Sequence, residues 1–173
     1  MRRVLVIGIS GAGKSTFSRR LAERTGLPLI HLDREFWQAG WKVTPRAEWR
    51  AKVADLAARD TWIMDGNYSG TLDARLPRAD TVLWFDYPTL RCLGRVAKRI
   101  ATTYGRVRPD LAPGCPEQID WEFLRFVWDF NRKSRPLIVT ALQQHNTHGA
   151  TVKVFKTDRD ARRFLAEAAP AAL

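Results

Sequence analysis

The sequence predicts an α/β protein with a five-stranded parallel sheet and helices on both of its faces. Short apolar segments alternate with helical ones along the chain, which is typical of strand–helix–strand units. The first apolar segment runs directly into a glycine-rich turn and a helix, and later apolar segments end in aspartates. Because ligands of such sheets bind beyond the carboxyl ends of the strands, we expect the functional site at that edge.

Length and composition favour one domain, residues 1–173, with its own hydrophobic core. The net charge of +11 favours phosphate-bearing ligands, either nucleotides or nucleic acid. Because no arginine run is longer than two, nucleic acid is the less favoured partner. No stretch approaches the ~20 apolar residues of a membrane span, and Cys92 and Cys115 are predicted to be small buried hydrophobes. We therefore expect a soluble, cytoplasmic monomer.

Five segments are predicted as strands, and the middle three lead into aspartates. They are residues 3–8, 29–32 (before Asp33), 62–64 (before Asp65), 81–85 (before Asp86) and 151–155. The first helix is predicted over residues 14–25, with Gly26 closing its C-terminus. Further helices are predicted over residues 45–59, 89–104, 120–134 and 159–168, the last capped by Asp158. Pro136 is expected to interrupt the helix before it or to start a new one.

Residues 8–15 fit the pattern G-x-x-x-x-G-K-[ST], the P-loop. Its glycines let the backbone N–H groups face inward at a helix N-terminus, which favours a phosphate chain. Lys14 would reach the β- and γ-phosphates of ATP, and the Ser15 hydroxyl would hold Mg²⁺. The expected nucleotide contacts are Gly8, Ser10, Gly11, Ala12, Gly13, Lys14, Ser15 and Thr16. The alternative is a glycine-rich turn without a ligand.

The aspartates at strand ends suit phosphoryl transfer, which needs a metal and a positioned nucleophile. Asp65 ends an apolar strand as a Walker-B acid does and could hold Mg²⁺ through water. Asp33 is a candidate base for an acceptor hydroxyl. For both, the alternative is a turn residue, and for Asp86 that alternative is favoured.

Arginines flank the most loop-like segment, residues 105–120, as the arginines of a closing lid would. Arg95 and Arg99 share a helix face before the loop, and Arg132 and Arg135 follow it. The alternative for each is a solvated helix face. Residues 34–59 form an excursion from the sheet, in which three tryptophans either stack an acceptor ring or, as is more common, cover a core: Trp37, Trp41 and Trp49. A GTPase is disfavoured because no N-K-x-D motif is present.

Motifs along nearly the whole chain resemble the P-loop proteins known as DNA topology modulation proteins, which are related to adenylate kinases. The motifs are the P-loop, 31–33, 36–37 with 40–41, 62–68, 79–81, 86–88, 92–93 with Arg95, 114–117 and 128–131. This resemblance implies an adenylate kinase-like P-loop NTPase fold of strand order 2-3-1-4-5. It also implies a core (1–33, 60–104, 136–173), an acceptor-binding insert (34–59) and a lid (105–135).

The resemblance also bears on the acceptor. Adenylate kinases carry Asp-Gly-Phe-Pro-Arg where this chain has Asp65-Gly66-Asn67-Tyr68, so an arginine that grips the acceptor phosphate is missing. AMP is therefore disfavoured as acceptor. The sequence predicts an ATP- and Mg²⁺-dependent phosphotransferase, a kinase, acting on a nucleotide or another small molecule. The alternative is a nucleotide-gated DNA-binding or regulatory protein that affects DNA topology.

Overall fold

The computed structural model describes residues 1–145 and 149–169 of the chain. Its strands are β1 Arg3–Gly8, β2 Leu29–His31, β3 Trp37–Gln38, β4 Lys42–Val43, β5 Trp62–Asp65, β6 Thr81–Phe85 and β7 Thr151–Phe155. Its α-helices are α1 Lys14–Thr25, α2 Leu32–Phe36, α3 Arg46–Ala58, α4 Leu72–Arg75, α5 Thr89–Thr103, α6 Trp121–His145 and α7 Asp158–Glu167. Of the predicted core segment 136–173, residues 146–148 and 170–173 lie outside the described part.

Five parallel strands form the main sheet in the order β2-β5-β1-β6-β7. Counted along the chain without the short β3 and β4, this is the predicted order 2-3-1-4-5, and the predicted fold class is confirmed. The central strands are buried because their apolar side chains face helices on both sides. Their register aligns Val6 with Asp65 and Gly8 with Phe85, so the P-loop and the end of β5 share one edge of the sheet.

The second strand is shorter than predicted. It ends at His31, and Leu32 begins the five-residue helix α2, so Asp33 lies in the first turn of a helix rather than at a strand end. The buried side chain of Leu32 explains the change, since it packs into the core while the chain turns away from the sheet. The predicted excursion then holds the β3–β4 ribbon and helix α3.

Helix α6 runs for 25 residues straight through Pro136, which neither ends it nor starts a new helix. The boundary between lid and core at 135/136 therefore falls inside a continuous helix. Buried apolar side chains lie on both sides of the proline and pack the helix against the core: Val127, Phe130, Ile138 and Leu142. The free energy gained by burying these apolar side chains exceeds the cost of the hydrogen bond that the proline nitrogen cannot donate.

The last helix begins with a cap other than the one predicted. Thr157 is the N-cap residue and forms a capping box with Asp160. Asp158 lies in the first turn of α7, and its carboxylate binds two arginines of α5 instead. Cys92 and Cys115 are free and buried, as predicted. Within residues 1–145 and 149–169, no helix is long and apolar enough to cross a membrane.

Candidate active site

A cavity of about 1120 Å³ lies over the carboxyl edge of the sheet. The structure brings most of the predicted site residues to its walls: Ser10, Gly11, Ala12, Gly13, Lys14, Ser15, Thr16, Asp33, Asp65, Arg95 and Arg99. Gly8, Arg132 and Arg135 do not line it. A large concave site that collects charged groups on several loops is the usual place for ligand binding in this type of sheet.

The glycines of the P-loop have different structural roles. Gly11 and Gly13 adopt φ angles of 85° and 91°, the left-handed region that curls the backbone into a cradle. A Cβ on Gly13 would meet nothing within 4 Å, so the space in front of it is open to a phosphate. Gly8 is different, because its Cβ would lie 2.2 Å from the Phe85 carbonyl oxygen. Gly8 therefore allows close packing of β1 against β6, and its contact with a nucleotide stays a prediction.

Lys14 spans the P-loop, where its Nζ donates a hydrogen bond of 2.9 Å to the Ile9 carbonyl. Burial lowers the pKa of the Lys14 ammonium, while the negative charges of Asp65 and Asp33 oppose this change. Lys14, Asp33 and Asp65 line the same cavity.

Asp65 is 4% exposed, and its Oδ2 lies 3.0 Å from the Nδ1 of His31 on the neighbouring strand. Its other oxygen, Oδ1, is buried and has no hydrogen-bond partner in the described part of the chain. No group of three or more His, Cys, Asp or Glu side chains there could hold a metal ion. One free carboxylate oxygen and the Ser15 hydroxyl fit Mg²⁺ nonetheless, because this ion keeps several waters and takes phosphate oxygens from its nucleotide.

Asp33 faces the same cavity and accepts a hydrogen bond of 2.7 Å from the hydroxyl of Tyr68. Burial raises the pKa of the Asp33 carboxyl, and the bond from Tyr68 opposes that rise. The tyrosine ring packs on Phe36 and Trp49 at centroid distances of 4.9 and 5.0 Å, which fixes its position. Tyr68 was not predicted as a site residue. The only sequence feature that pointed to it was its place at the end of the motif 65–68.

A buried arginine holds the loop that carries Tyr68. Arg75 is 0% exposed and donates hydrogen bonds to the carbonyl oxygens of Gly66, Asn67 and Tyr68 at 2.6 to 3.0 Å. Burial lowers the pKa of its guanidinium. These bonds replace the regular backbone pairing that the loop lacks, so Arg75 sets the position of one cavity wall.

The segment predicted as a lid contributes an arginine that sequence analysis missed. Arg108 lines the cavity and forms ion pairs with Asp110 at 2.9 Å and with Glu117 at 2.8 Å. Glu117 is 5% exposed and also binds Arg99 of α5 at 2.9 Å. Burial and the nearby charge of Arg108 lower the pKa of Arg99. The only sequence signal for Arg108 was its place in the loop 105–120.

Of the four predicted lid arginines, the two on α5 line the cavity. Arg95 binds the carboxylate of Asp158 at 2.5 Å and Arg99 binds Glu117. Arg132 is 75% exposed and pairs with Asp129, one turn away on α6. Arg135 makes a two-pronged ion pair with Asp86. Helix α6 continues past Pro136, and in this structure Arg132 and Arg135 bind partners outside the cavity. Their role over the phosphates stays a prediction.

The insert and the lid loop close over the cavity together. The backbone N–H of Gly40 donates to the carbonyl of Gly114 at 2.9 Å, and the indole N–H of Trp41 donates to that of Pro116 at 3.0 Å. Trp37 and Trp41 line the cavity, with their rings edge to face at 5.2 Å. Trp49 is 5% exposed and belongs to the core. Trp49 therefore covers the core, while a stacking role for Trp37 and Trp41 stays a prediction.

Comparison with known proteins supports the fold. No protein-family model matches the chain. Shikimate kinase of Rhodopseudomonas palustris (strain ATCC BAA-98 / CGA009) is 50% identical over 44 residues, a match that spans 25% of this chain and 22% of that enzyme. A solved structure, "Shikimate kinase from Acinetobacter baumannii in complex with shikimate", has a TM-score of 0.59 at 17% identity and covers 96% of this chain and 90% of that one. At this identity the likeness shows the fold, a parallel five-stranded sheet with helices around it.

Proposed function

We propose that the protein is an ATP- and Mg²⁺-dependent phosphotransferase that phosphorylates a hydroxyl group of a small molecule. One observation carries this proposal: the P-loop with Lys14 and the Asp33–Tyr68 pair line the same cavity. A phosphate cradle and a carboxylate facing it in one closed space are the parts that phosphoryl transfer requires.

The donor side binds ATP through the P-loop. The backbone N–H groups of residues 10–15 hold the phosphates, and Lys14 leaves the Ile9 carbonyl for the transferring phosphate. Ser15 and Asp65 would hold Mg²⁺. The metal ion supplies positive charge for the phosphate oxygens. Arg95 of α5 adds charge when it exchanges Asp158 for phosphate.

The acceptor side uses Asp33. Its carboxylate accepts the proton of the acceptor hydroxyl while that oxygen forms a bond to the γ-phosphorus of ATP. The bond between the γ-phosphorus and the bridging oxygen to the β-phosphate breaks, and ADP leaves with the electron pair. The products are a phosphate monoester and ADP, and Asp33 later releases the proton to water. Burial, which raises the pKa of Asp33, makes it a better proton acceptor than an exposed aspartate.

The similarity to shikimate kinases supports a small-molecule kinase without naming the acceptor. The solved relative is described as a complex with shikimate, but at 17% identity the similarity shows only the fold and not the substrate. The 44-residue match spans too little of the curated enzyme to carry over its substrate. The acceptor is therefore an open part of the proposal.

A metabolite screen tests the proposal. The protein, Mg²⁺ and ATP are incubated with a broad panel of nucleosides, nucleotides and other metabolites, and products are detected by a mass gain of one phosphate. We expect at least one phosphorylated product, which Asp33→Asn reduces strongly and Asp55→Asn, an exposed aspartate of α3, leaves unchanged. A panel without any Mg·ATP-dependent product would contradict the proposal.

The net charge of +11 favours one further candidate, a nucleotide-gated DNA-binding or regulatory protein. Binding driven by phosphate contacts weakens steeply with salt. Titration of duplex DNA at ~50 mM salt, with and without ATP, tests this candidate. Salt-sensitive binding that depends on ATP would support it, and no binding under either condition would exclude it.

A further inference from the structure

From the walls of the acceptor half of the cavity we infer that the acceptor is an uncharged polyhydroxylated molecule with one flat, weakly polar face, not a carboxylic acid or a phosphate monoester. The acceptor half is the space enclosed by the insert, the loop after β5 and the lid loop. Its walls include Asp33, Trp37, Trp41, Asn67, Tyr68 and Ser69. The lid side adds an ion-pair cluster of Arg99, Arg108, Asp110 and Glu117. The inference rests on the proposed function, since it names the substrate class of the same site.

Positive charge in the cavity is concentrated on the donor side. The cationic side chains that line it beside the P-loop come from α1, α5 and α7: Lys14, Arg19, Arg20, Arg95 and Arg162. On the acceptor side, Arg99 and Arg108 face the carboxylates of Glu117 and Asp110 within 3 Å. Together with Asp33, carboxylates outnumber guanidiniums on the described walls of that side.

The insert has cations of its own, but the described ones are used elsewhere or do not line the cavity. Lys52 pairs with Glu35 at 2.7 Å, and Arg50 pairs with Asp73 at 2.7 Å. Arg34, Lys42 and Arg46 are exposed and absent from the cavity walls. On the described walls of this side, an anionic acceptor would therefore meet Asp33 next to guanidiniums that already pair with carboxylates. Repulsion between the acceptor and the Asp33 carboxylate opposes binding.

The polar atoms of the acceptor half require hydrogen-bond donors. Oδ1 of Asp33 already accepts from Tyr68, which leaves its Oδ2 for the acceptor. The side-chain oxygen of Asn67 is buried and has no hydrogen-bond partner in the described part of the chain, and Ser69 also lines the cavity. Vicinal hydroxyl groups on a ring satisfy such a set of oxygens, whereas a carboxylate or phosphate adds further acceptors.

The remaining wall is aromatic. Trp37 and Trp41 meet edge to face and both line the cavity, with Trp41 held in place by its bond to Pro116. Aromatic faces bind flat or C–H-rich ligand surfaces. A cyclitol or sugar ring and the base of a nucleoside both present such a surface, so the shared chemistry is an uncharged ring compound with neighbouring hydroxyls.

Matched pairs of compounds that differ only in charge test the inference. One arm compares shikimate with its methyl ester, which has the same ring and the same three hydroxyls. The other arm compares AMP with adenosine, and the neutral compounds ribose and myo-inositol extend the panel. Thermal shift in the presence of Mg²⁺ and a non-hydrolysable ATP analogue measures binding, and phosphate transfer from ATP measures turnover.

We expect the neutral member of at least one pair to bind about tenfold or more tightly than its acid. The arm that responds distinguishes a sugar-like ring from a nucleoside. The inference is overturned if an acid binds as well as its neutral counterpart, or if no neutral compound of the panel shifts the melting temperature. Acids that are phosphorylated efficiently would overturn the inference and leave the kinase proposal intact. Neutral compounds that bind without phosphate transfer would uphold the inference and contradict the kinase proposal.

A charge-insertion variant gives a second test. Ser69 is exposed and lines the acceptor half, so Ser69→Arg places a guanidinium there without filling the core. This variant should shift the ratio of acid to neutral binding toward the acid by about tenfold. Ser69→Gln, of similar reach and without charge, is the matched control and should not shift the ratio. Equal ratios in the two variants would contradict a charge-based selection.

Discussion

The hydroxyl of Tyr68 donates a hydrogen bond of 2.7 Å to Oδ1 of Asp33 and so joins the loop after β5 to the helix after β2. The bond stabilises the charged carboxylate and restrains the rise of its pKa that burial causes. Tyr68→Phe removes the bond, so the pKa of Asp33 should rise further. Because the base must be ionised, the acid limb of the kcat/KM profile should move to higher pH.

The pH profile of kcat/KM for Tyr68→Phe and the wild type checks this prediction. Tyr104→Phe is the control, since Tyr104 is exposed and does not line the cavity. An acid limb that stays in place in Tyr68→Phe would show that Asp33 is not the titrating base.

The two cradle glycines should respond differently to alanine. Both have positive φ, so each substitution costs about 1–2 kcal/mol of backbone strain. At Gly11 the new Cβ would also lie 2.4 Å from the Cys92 carbonyl oxygen, which adds about 1–3 kcal/mol of overpacking. Gly11→Ala should therefore lower the free energy of unfolding in urea more than Gly13→Ala, while both lose ATP binding. Equal destabilisation would contradict the packing role of Gly11.

Arg75 should contribute more to the free energy of unfolding than an exposed arginine does. Arg75→Met leaves the carbonyls of Gly66, Asn67 and Tyr68 buried without their donor, which should cost about 3–5 kcal/mol of unfolding free energy. Arg78→Met is the matched control, because Arg78 also donates to carbonyls but is exposed, and it should cost less than about 1 kcal/mol. Similar losses in the two variants would refute the account of the loop.

Glu117 should hold the lid loop closed. Glu117→Gln removes the charge that compensates Arg99 and Arg108, whose guanidiniums then repel each other. We expect faster local opening of the loop, by about tenfold or more, and faster tryptic cleavage after Arg106. Limited proteolysis followed by mass spectrometry measures this, with the exposed Glu48 as control in Glu48→Gln. Unchanged cleavage would show that backbone bonds alone close the loop.

The sheet and the P-loop could be predicted from the sequence because their signals are local. Val4–Ile7 and residues 81–85 are continuous apolar runs between helical segments, and they form buried strands. Glycine spacing likewise predicted the cradle, although the packing role of Gly8 depends on the carbonyl of Phe85, 77 residues away.

The missed parts of the site depend on tertiary contacts. Whether an arginine is solvated or lines a cavity is decided by its partner, and the pairing of Arg108 with Glu117 has no local signature. Arg135 was expected at the lid, but an aspartate at the end of another strand holds it. Asp86, predicted as a turn residue, is in fact the shared partner of Arg135 and Lys156.

Transfer of the γ-phosphate from labelled ATP to a small molecule tests the central proposal most directly. The protein is incubated with Mg²⁺, γ-³²P-labelled ATP and a fractionated metabolite extract, next to Lys14→Ala and the exposed control Lys98→Ala. We expect label in an organic phosphate with the wild type and Lys98→Ala, and a rate lower by about 10²–10³-fold with Lys14→Ala. Label that appears only as inorganic phosphate, or equally with Lys14→Ala, would contradict a kinase built on this P-loop.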